Sequence, residues 1–322
     1  MKRIVSLLLC IATCVSADSL YKNALYRLYL HNTPWHHETF DVAMQKFSYL
    51  KQISYTEVIL KINGYELYDF FKQLYDHNNL SVLEPGDILK IPKLIHEIWL
   101  GSPVPDAYKE FMQTWVDMHI GRGWTYCLWT DENAHEIALY NQQYYDATDN
   151  YGVKSDILRW EILYQRGGLY VDTDYECLLP FDIFHYTYDF YTGIQPLDTH
   201  FLQLGAALVG SRPGHPILKH CIETIKDDWH EKGAPKKTGP VHFTRSFYLM
   251  AGKYGTVDIA LPPHYVYPLG AQEPLLRDHY TDWIQQGAFA VHWWSKSWMP
   301  STYRPQAFRA LGNDDSAKSW ND

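Results

Sequence analysis

The chain has 322 residues, of which 46% are hydrophobic and 20% charged; these values exclude a disordered or fibrous protein and leave room for one large domain or two small ones. A formal charge of −9, from 28 basic against 37 acidic residues, argues against nucleic-acid binding, which needs a basic field to neutralise phosphates. Aromatic residues make up 16% of the chain, enough for a ring-rich core and for platforms on which sugars and bases stack.

Residues 1–17 read as a targeting segment. Lys2 and Arg3 supply a basic start, Ile4 to Val15 form an apolar run, and Val15-Ser16-Ala17 offers small residues at the spacing a signal peptidase prefers. The run is shorter than the roughly 20 apolar residues of a bilayer span. A cleaved signal peptide is therefore expected, with secretion into a secretory lumen such as the Golgi or export into a host cell. A short N-terminal membrane anchor is the alternative, and membrane contact is expected only if the segment stays uncleaved. Two of the five cysteines lie in this segment; Cys127, Cys177 and Cys221 are too few for a disulfide framework, and no CxxC suggests zinc. Asn79-Leu80-Ser81 is a glycosylation sequon.

Residues 18–88 are expected to form a helical cap or bundle. Apolar spacing near three and four runs through 66–76, and Pro85-Gly86-Asp87 marks a stop. The main domain is expected over 89–305, followed by a polar tail at 306–322. Its first strand lies within Pro92–Gly101, a helix over 105–118 follows, and Trp124–Trp129 is a second strand. Helices are predicted around 132–145 and 154–166, a third strand starts at Leu169, and Ala288–Trp294 is a late one. This alternation points to an α/β sheet.

The richest stretch is VKSDILRWEILYQRGGLYVDTDYECLLP, residues 153–180. Ser155 is a plausible helix cap and Gly167-Gly168 a helix end. Asp156 and Arg159 share a helical face, and Ile157, Leu158, Ile162 and Leu163 pack on the sheet. Leu169-Tyr170-Val171 then enters a strand that ends in Asp172-Thr173-Asp174, and period-two alternation turns both carboxylates to one side. In open α/β sheets, ligands bind beyond the carboxyl ends of strands. Two close carboxylates repel unless a cation lies between them, and Mn²⁺ or Mg²⁺ held there completes its shell with phosphate oxygens. Arg159 offers a fork for phosphate or a sugar hydroxyl.

With these motifs in view, the run Ile91 to Trp99 (IPKLIHEIW) and SDILRWEILYQRGGLYVDTD together resemble the glycosyltransferases with a DXD sugar-binding region. That family includes yeast mannosyltransferases and bacterial capsule enzymes and is distantly similar to clostridial glucosylating toxins. The resemblance spans about 91–300. It implies a GT-A type, Rossmann-like nucleotide-sugar-binding domain, here with an N-terminal helical extension, and a retaining hexosyl transfer that uses Mn²⁺ or Mg²⁺. The partners it implies are a nucleotide-sugar donor and a glycan, lipid or protein acceptor, with no nucleic acid. By position, Trp99 would stack on the donor base, and Asp156 and Arg159 would hold donor sugar and diphosphate. Tyr170 would support the site, Asp172 would contact ribose and metal, and Asp174 and His292 would be further metal ligands. Ser297 and Trp298, in VHWWSKSW, would close on the diphosphate, and Thr238-Gly239-Pro240 matches a turn near the acceptor cleft. Asp156, Arg159, Asp172 and Asp174 form the expected catalytic set. The chain departs from the family at Gly205-Ala206-Ala207, where Asn is frequent; Gln203 or Asp198 are the substitutes within reach.

Two other readings compete. A phosphatase with a nucleophilic DxD wants Thr or Val two residues after the second Asp, where this chain has Glu176. A non-catalytic glycan-binding module would keep the fold without turnover. HEIWL is not HExxH, so zinc-protease chemistry is not indicated.

Overall fold

The computed structural model describes residues 35–45, 65–271 and 279–297; the expected signal peptide, most of 18–64, Trp298 and the polar tail lie outside them. Eight strands are present among the described residues: β1 Leu94–Ile98, β2 Thr125–Trp129, β3 Gly168–Val171, β4 Tyr175–Cys177, β5 Phe190–Ile194, β6 Leu204–Ser211, β7 Asp258–Leu261 and β8 Ala290–His292. Six form one sheet in the order β2-β1-β3-β6-β5-β7, and β4 pairs with β8 in a separate ribbon. Neighbours run parallel except for β6, which is antiparallel to both β3 and β5. The α/β class expected from the sequence is the class found.

The pivotal helix, Tyr151–Arg166, starts earlier than its sequence suggested. Asn150, not Ser155, is the cap: its side chain accepts from the amides of Gly152 and Val153, satisfying donors that the first turn leaves free. Ile157, Leu158, Ile162 and Leu163 are fully buried, as their spacing requires. The helix ends at Gly167, with φ of 65°, and Gly168 follows at φ of 109°. A methyl group on Gly168 would sit 2.7 Å from the carbonyl oxygen of Leu94, so β3 approaches β1 only because that position is glycine. The side chain of His96 fills the same corner, bridging the Gly167 carbonyl at 2.9 Å and Trp129 Nε1 at 3.2 Å.

The helix expected over 132–145 is broken into a 3₁₀ turn at Ala134–Glu136 and a short helix at Gln142–Asp146. Asparagines divert the backbone there. Asn133 accepts from the Thr130 amide and donates to the Leu128 carbonyl, while Asn141 is tied to Glu161 and Ile222. Such side-chain bonds compete with helix propagation.

Helices Phe40–Gln45 and Tyr65–Asn78 pack into the same core as the sheet. Trp35 stacks on Tyr265 with ring centroids 4.3 Å apart, and the Tyr75 and Tyr265 hydroxyls lie 2.7 Å apart. Asn79 is buried with its amide donating to the Tyr75 carbonyl, so the sequon does not offer a glycosylation acceptor in the folded chain. Cys127, Cys177 and Cys221 are free thiols.

Replacing Gly168 by Ala is expected to destabilise the fold by at least about 2 kcal/mol, from backbone strain and the clash with Leu94. Urea unfolding followed by circular dichroism measures it, and an unchanged midpoint would remove the packing argument.

Candidate active site

The carboxyl end of β3 opens into a cleft with a cavity volume of about 680 Å³. Asp172 does not continue the strand. It begins a turn closed by the Tyr175 amide donating to the Asp172 carbonyl at 3.0 Å, and Asp174 lies inside that turn. The two carboxylates therefore converge through a turn rather than through the strand alternation expected of them.

His292 arrives from the far end of the chain. The antiparallel pairing of β4 with β8 sets Tyr175 opposite His292, which brings the imidazole Nε2 to 3.1 Å from Asp174 Oδ1. The Ser295 amide donates to Asp174 Oδ2 at 2.7 Å. Burial works to raise the Asp174 pKa, but the facing His292 and the bonds from His292 and Ser295 prevail and hold it down to about 2. Ligand atoms of Asp172, Asp174 and His292 all lie within 4.8 Å of one another, and the second ring nitrogen of His292, Nδ1, is buried without a hydrogen-bond partner. Two carboxylates and one imidazole form a donor set suited to a divalent cation such as Mn²⁺, and the unpartnered Nδ1 leaves the imidazole a nitrogen not committed to Asp174. The residues fit the ion.

Arg159 links the DxD turn to its helix. Its guanidinium lies 3.2 Å from Asp156 Oδ1 and 3.4 Å from Asp172 Oδ1, donates to the Ala206 carbonyl at 2.6 Å, and stacks 4.4 Å above the Tyr170 ring. Tyr170 donates to Asp172 Oδ1 at 2.6 Å. Asp156 accepts from Thr238 Oγ1 at 2.9 Å, which joins the Thr238-Gly239-Pro240 turn to the SDxxR helix. Burial raises the Asp156 pKa to about 6, against the opposing pull of Arg159 and Thr238. Glu97 on β1 is another buried acid. Burial pushes it up to about 8, with the hydrogen bond from Tyr126 opposing and the charges of Asp172 and Asp174 reinforcing the rise.

Trp99 lines one end of the cleft with Leu100, Ser102 and Tyr151; it packs 4.7 Å from the Tyr108 ring and donates to Ser102. Ser297 also lines the cleft, whereas Trp298 falls outside the described residues. Of the two substitutes for the absent Asn, Gln203 lines the cleft, while Asp198, 3% exposed, does not. The sequence reading missed Gln195, Phe201 and the Ser295 amide. The hairpin joining β5 to β6 is the one feature that could have flagged the first two.

These elements form a cleft lined by acidic and basic side chains at the end of an α/β sheet, and comparison with known proteins bears on its class. A family model described as "Glycosyltransferase sugar-binding region containing DXD motif" matches residues 105–191, so the chain carries that glycosyltransferase region, as the resemblance implied. Inositol phosphoceramide mannosyltransferase 2 of Schizosaccharomyces pombe is 29% identical over 140 residues, 42% of this chain and 39% of the relative. Mannosyl phosphorylinositol ceramide synthase SUR1 of Saccharomyces cerevisiae is 30% identical over 140 residues, 42% of this chain and 35% of the relative. The match thus spans little more than a third of the yeast proteins. Among solved structures, the PaToxG glycosyltransferase is similar with 19% identity and a TM-score of 0.43, covering 61% of this chain and 82% of that one.

The raised Asp156 pKa carries a sign for stability. Its contribution is fully present below the unfolded value near 3.8 and is lost as pH rises through about 6. Asp156→Asn does not ionise there. Relative to that variant, the wild type is expected to lose on the order of 2–3 kcal/mol between pH 4 and pH 7. Urea titrations at stepped pH test this; parallel curves for the two proteins would refute the buried-carboxylate assignment.

Proposed function

We propose that the chain is a metal-dependent, retaining glycosyltransferase that moves a hexose from a UDP- or GDP-sugar to a glycan, lipid or protein acceptor. The observation that carries this reading is the convergence of Asp172, Asp174 and His292 with Arg159 in one cleft. Mn²⁺ or Mg²⁺ held by Asp172, Asp174 and His292 would neutralise charge on the departing diphosphate.

The chain's own residues do the rest by position and field. Arg159, fixed by Asp156, Asp172 and the Ala206 carbonyl, presents its remaining donor capacity to phosphate or sugar oxygens. Asp156, oriented by Thr238, accepts from a sugar hydroxyl. Tyr170 holds Asp172 in one orientation, and Trp99 at the cleft's end gives the base a ring to stack on. The bond from the anomeric carbon to the diphosphate oxygen breaks, the acceptor oxygen bonds to the same face of that carbon, and the acceptor's proton passes to the leaving diphosphate. Preorganised charge around an oxocarbenium-like transition state is the main catalytic contribution in this scheme.

Residues 89–305 form the catalytic domain in this reading, with 18–88 as its helical extension, of which the described helices Phe40–Gln45 and Tyr65–Asn78 cover part of the core. Residues 1–17, read as a signal peptide, would direct the chain to a secretory lumen such as the Golgi or to export into a host cell, with a short membrane anchor as the alternative. Among the described residues, no helix is long and apolar enough to cross a membrane. The names of the yeast relatives place mannose first among the donor sugars to try and an inositol-bearing lipid first among acceptors.

Release of nucleotide from a panel of UDP- and GDP-sugars, with Mn²⁺, Mg²⁺ or EDTA, tests the reading. One donor is expected to be hydrolysed in a metal-dependent manner, and Asp172→Asn or Asp174→Asn is expected to lower turnover at least ~100-fold without unfolding the chain. Full activity in a folded Asp174→Asn protein would overturn the metal site. Silence across the panel, together with no donor binding in Mn²⁺, would favour a glycan-binding module.

A further inference from the structure

We propose that Gln195, Gln203 and Phe201 form a subsite for an uncharged polyhydroxylated ring, a sugar or similar polyol. The inference rests on the transferase reading and names what this wall of its cleft takes. All three residues line the cleft. Beyond the last pair of β5 and β6 the two chains stay in register, and the Gln195 amide donates to the Gln203 carbonyl at 2.9 Å. The side chains pair as well, with Gln203 Nε2 donating to Gln195 Oε1 at 2.7 Å.

A carboxamide carries two N–H donors and a carbonyl with two lone pairs. The mutual bond consumes one donor and one acceptor. It leaves the NH₂ of Gln195 and the carbonyl of Gln203 without another protein partner among the described residues, and neither atom is sealed from solvent. A fixed donor beside a fixed acceptor matches two adjacent hydroxyls, each of which both donates and accepts. Neither amide offers countercharge to an ionic group.

Phe201 is 55% exposed and yet shares this lining, which suits a ring that covers the apolar face of a ligand. Its loop is fixed. The Thr199 hydroxyl, with one hydrogen to give, lies 3.0 Å from the Pro196 carbonyl and 3.2 Å from the Phe201 carbonyl, and His200 takes a left-handed backbone at φ of 63°. The neighbouring strand contributes small residues to the lining, Ala206 and Ala207, which leaves room there for a ring.

Saturation-transfer NMR on the full chain, with Mn²⁺ and UDP or GDP present and methyl α-D-mannopyranoside or methyl α-D-glucopyranoside as probe, tests the subsite. Ring protons of at least one probe are expected to saturate, and Gln195→Met, Gln203→Met and Phe201→Ala are each expected to weaken its binding about 10-fold. A nucleotide-sugar with a phosphonate in place of the glycosidic oxygen separates two sources of the ring. A probe signal that survives it assigns the subsite to the acceptor, and one that is displaced assigns it to the donor's hexose. Absence of any signal in the wild type, or equal signal in both glutamine variants, overturns the subsite. A glutamine-dependent signal without nucleotide release from any donor leaves the subsite standing and overturns the transferase reading instead.

Discussion

Asp174 is a carboxylate only 6% exposed, and a buried charge survives only where partners repay its lost hydration. Its partners come from a strand end 118 residues further along the chain. Two oxygens meet two donors, the imidazole of His292 and the amide of Ser295. That pairing depends on the short β4–β8 ribbon, whose register sets Tyr175 against His292 and whose next residue, Trp293, donates its amide to the Asp174 carbonyl at 3.0 Å. The C-terminal part of the chain is thereby a structural condition of the DxD turn.

Arg159 imposes the second constraint. It is buried with Asp156 and Asp172 on either side, and its third contact is the Ala206 carbonyl of β6. One guanidinium thus ties the helix before β3, the turn after β3 and the antiparallel neighbour of β3 to a common point. Removing either acid leaves the cation short of a partner in a dry place, which is more damaging than the net worth of the pair. The aromatic face of Tyr170 beneath the guanidinium makes lysine a poor substitute, because a planar cation is needed both to stack and to fork.

Local chemistry made much of this visible in the sequence. The helix through 157–163, the Gly-Gly exit and the pair Asp156/Arg159 follow from spacing alone, because each depends on residues within a turn or two of one another. Asn150 was overlooked as the cap because Ser155 stood closer to the apolar pattern, although an Asn before Tyr151-Gly152 satisfies the same orphan amides. The break of 132–145 is likewise local in cause, but Asn133 and Asn141 look unremarkable until their partners at Leu128, Glu161 and Ile222 are placed. His292 belongs to another kind of case. Nothing within its own neighbourhood specifies Asp174, and a contact set by strand register between distant segments was accessible to the sequence only through resemblance. Gln195 and Gln203 are eight residues apart, close enough for a hairpin to pair them, yet no turn signal specified the register that does so.

The unusual run Gly205-Ala206-Ala207 has a packing reason as well as a functional one. A side chain on Gly205 would collide with the Tyr267 hydroxyl at 1.8 Å, and one on Gly193, its cross-strand partner, would strike Val266 and Tyr267 at 2.4 to 2.8 Å. Both strands have given up side chains there to admit one tyrosine ring, which reaches over the ribbon to lie edge-on against His292, 5.6 Å between centroids. Tyr267 follows Tyr265 by two residues, and Tyr265 is held by Trp35 and Tyr75 of the N-terminal segments. Packing therefore runs from those N-terminal segments through the 263–267 segment to the imidazole facing Asp174, while none of their described residues lines the cleft. An Asn placed at position 206 would not disturb this column, since neighbouring residues of a strand face opposite ways; it would project toward the cleft that Ala206 lines. Glycine at 205 is thus fixed by the tyrosine behind it, a constraint that does not extend to position 206.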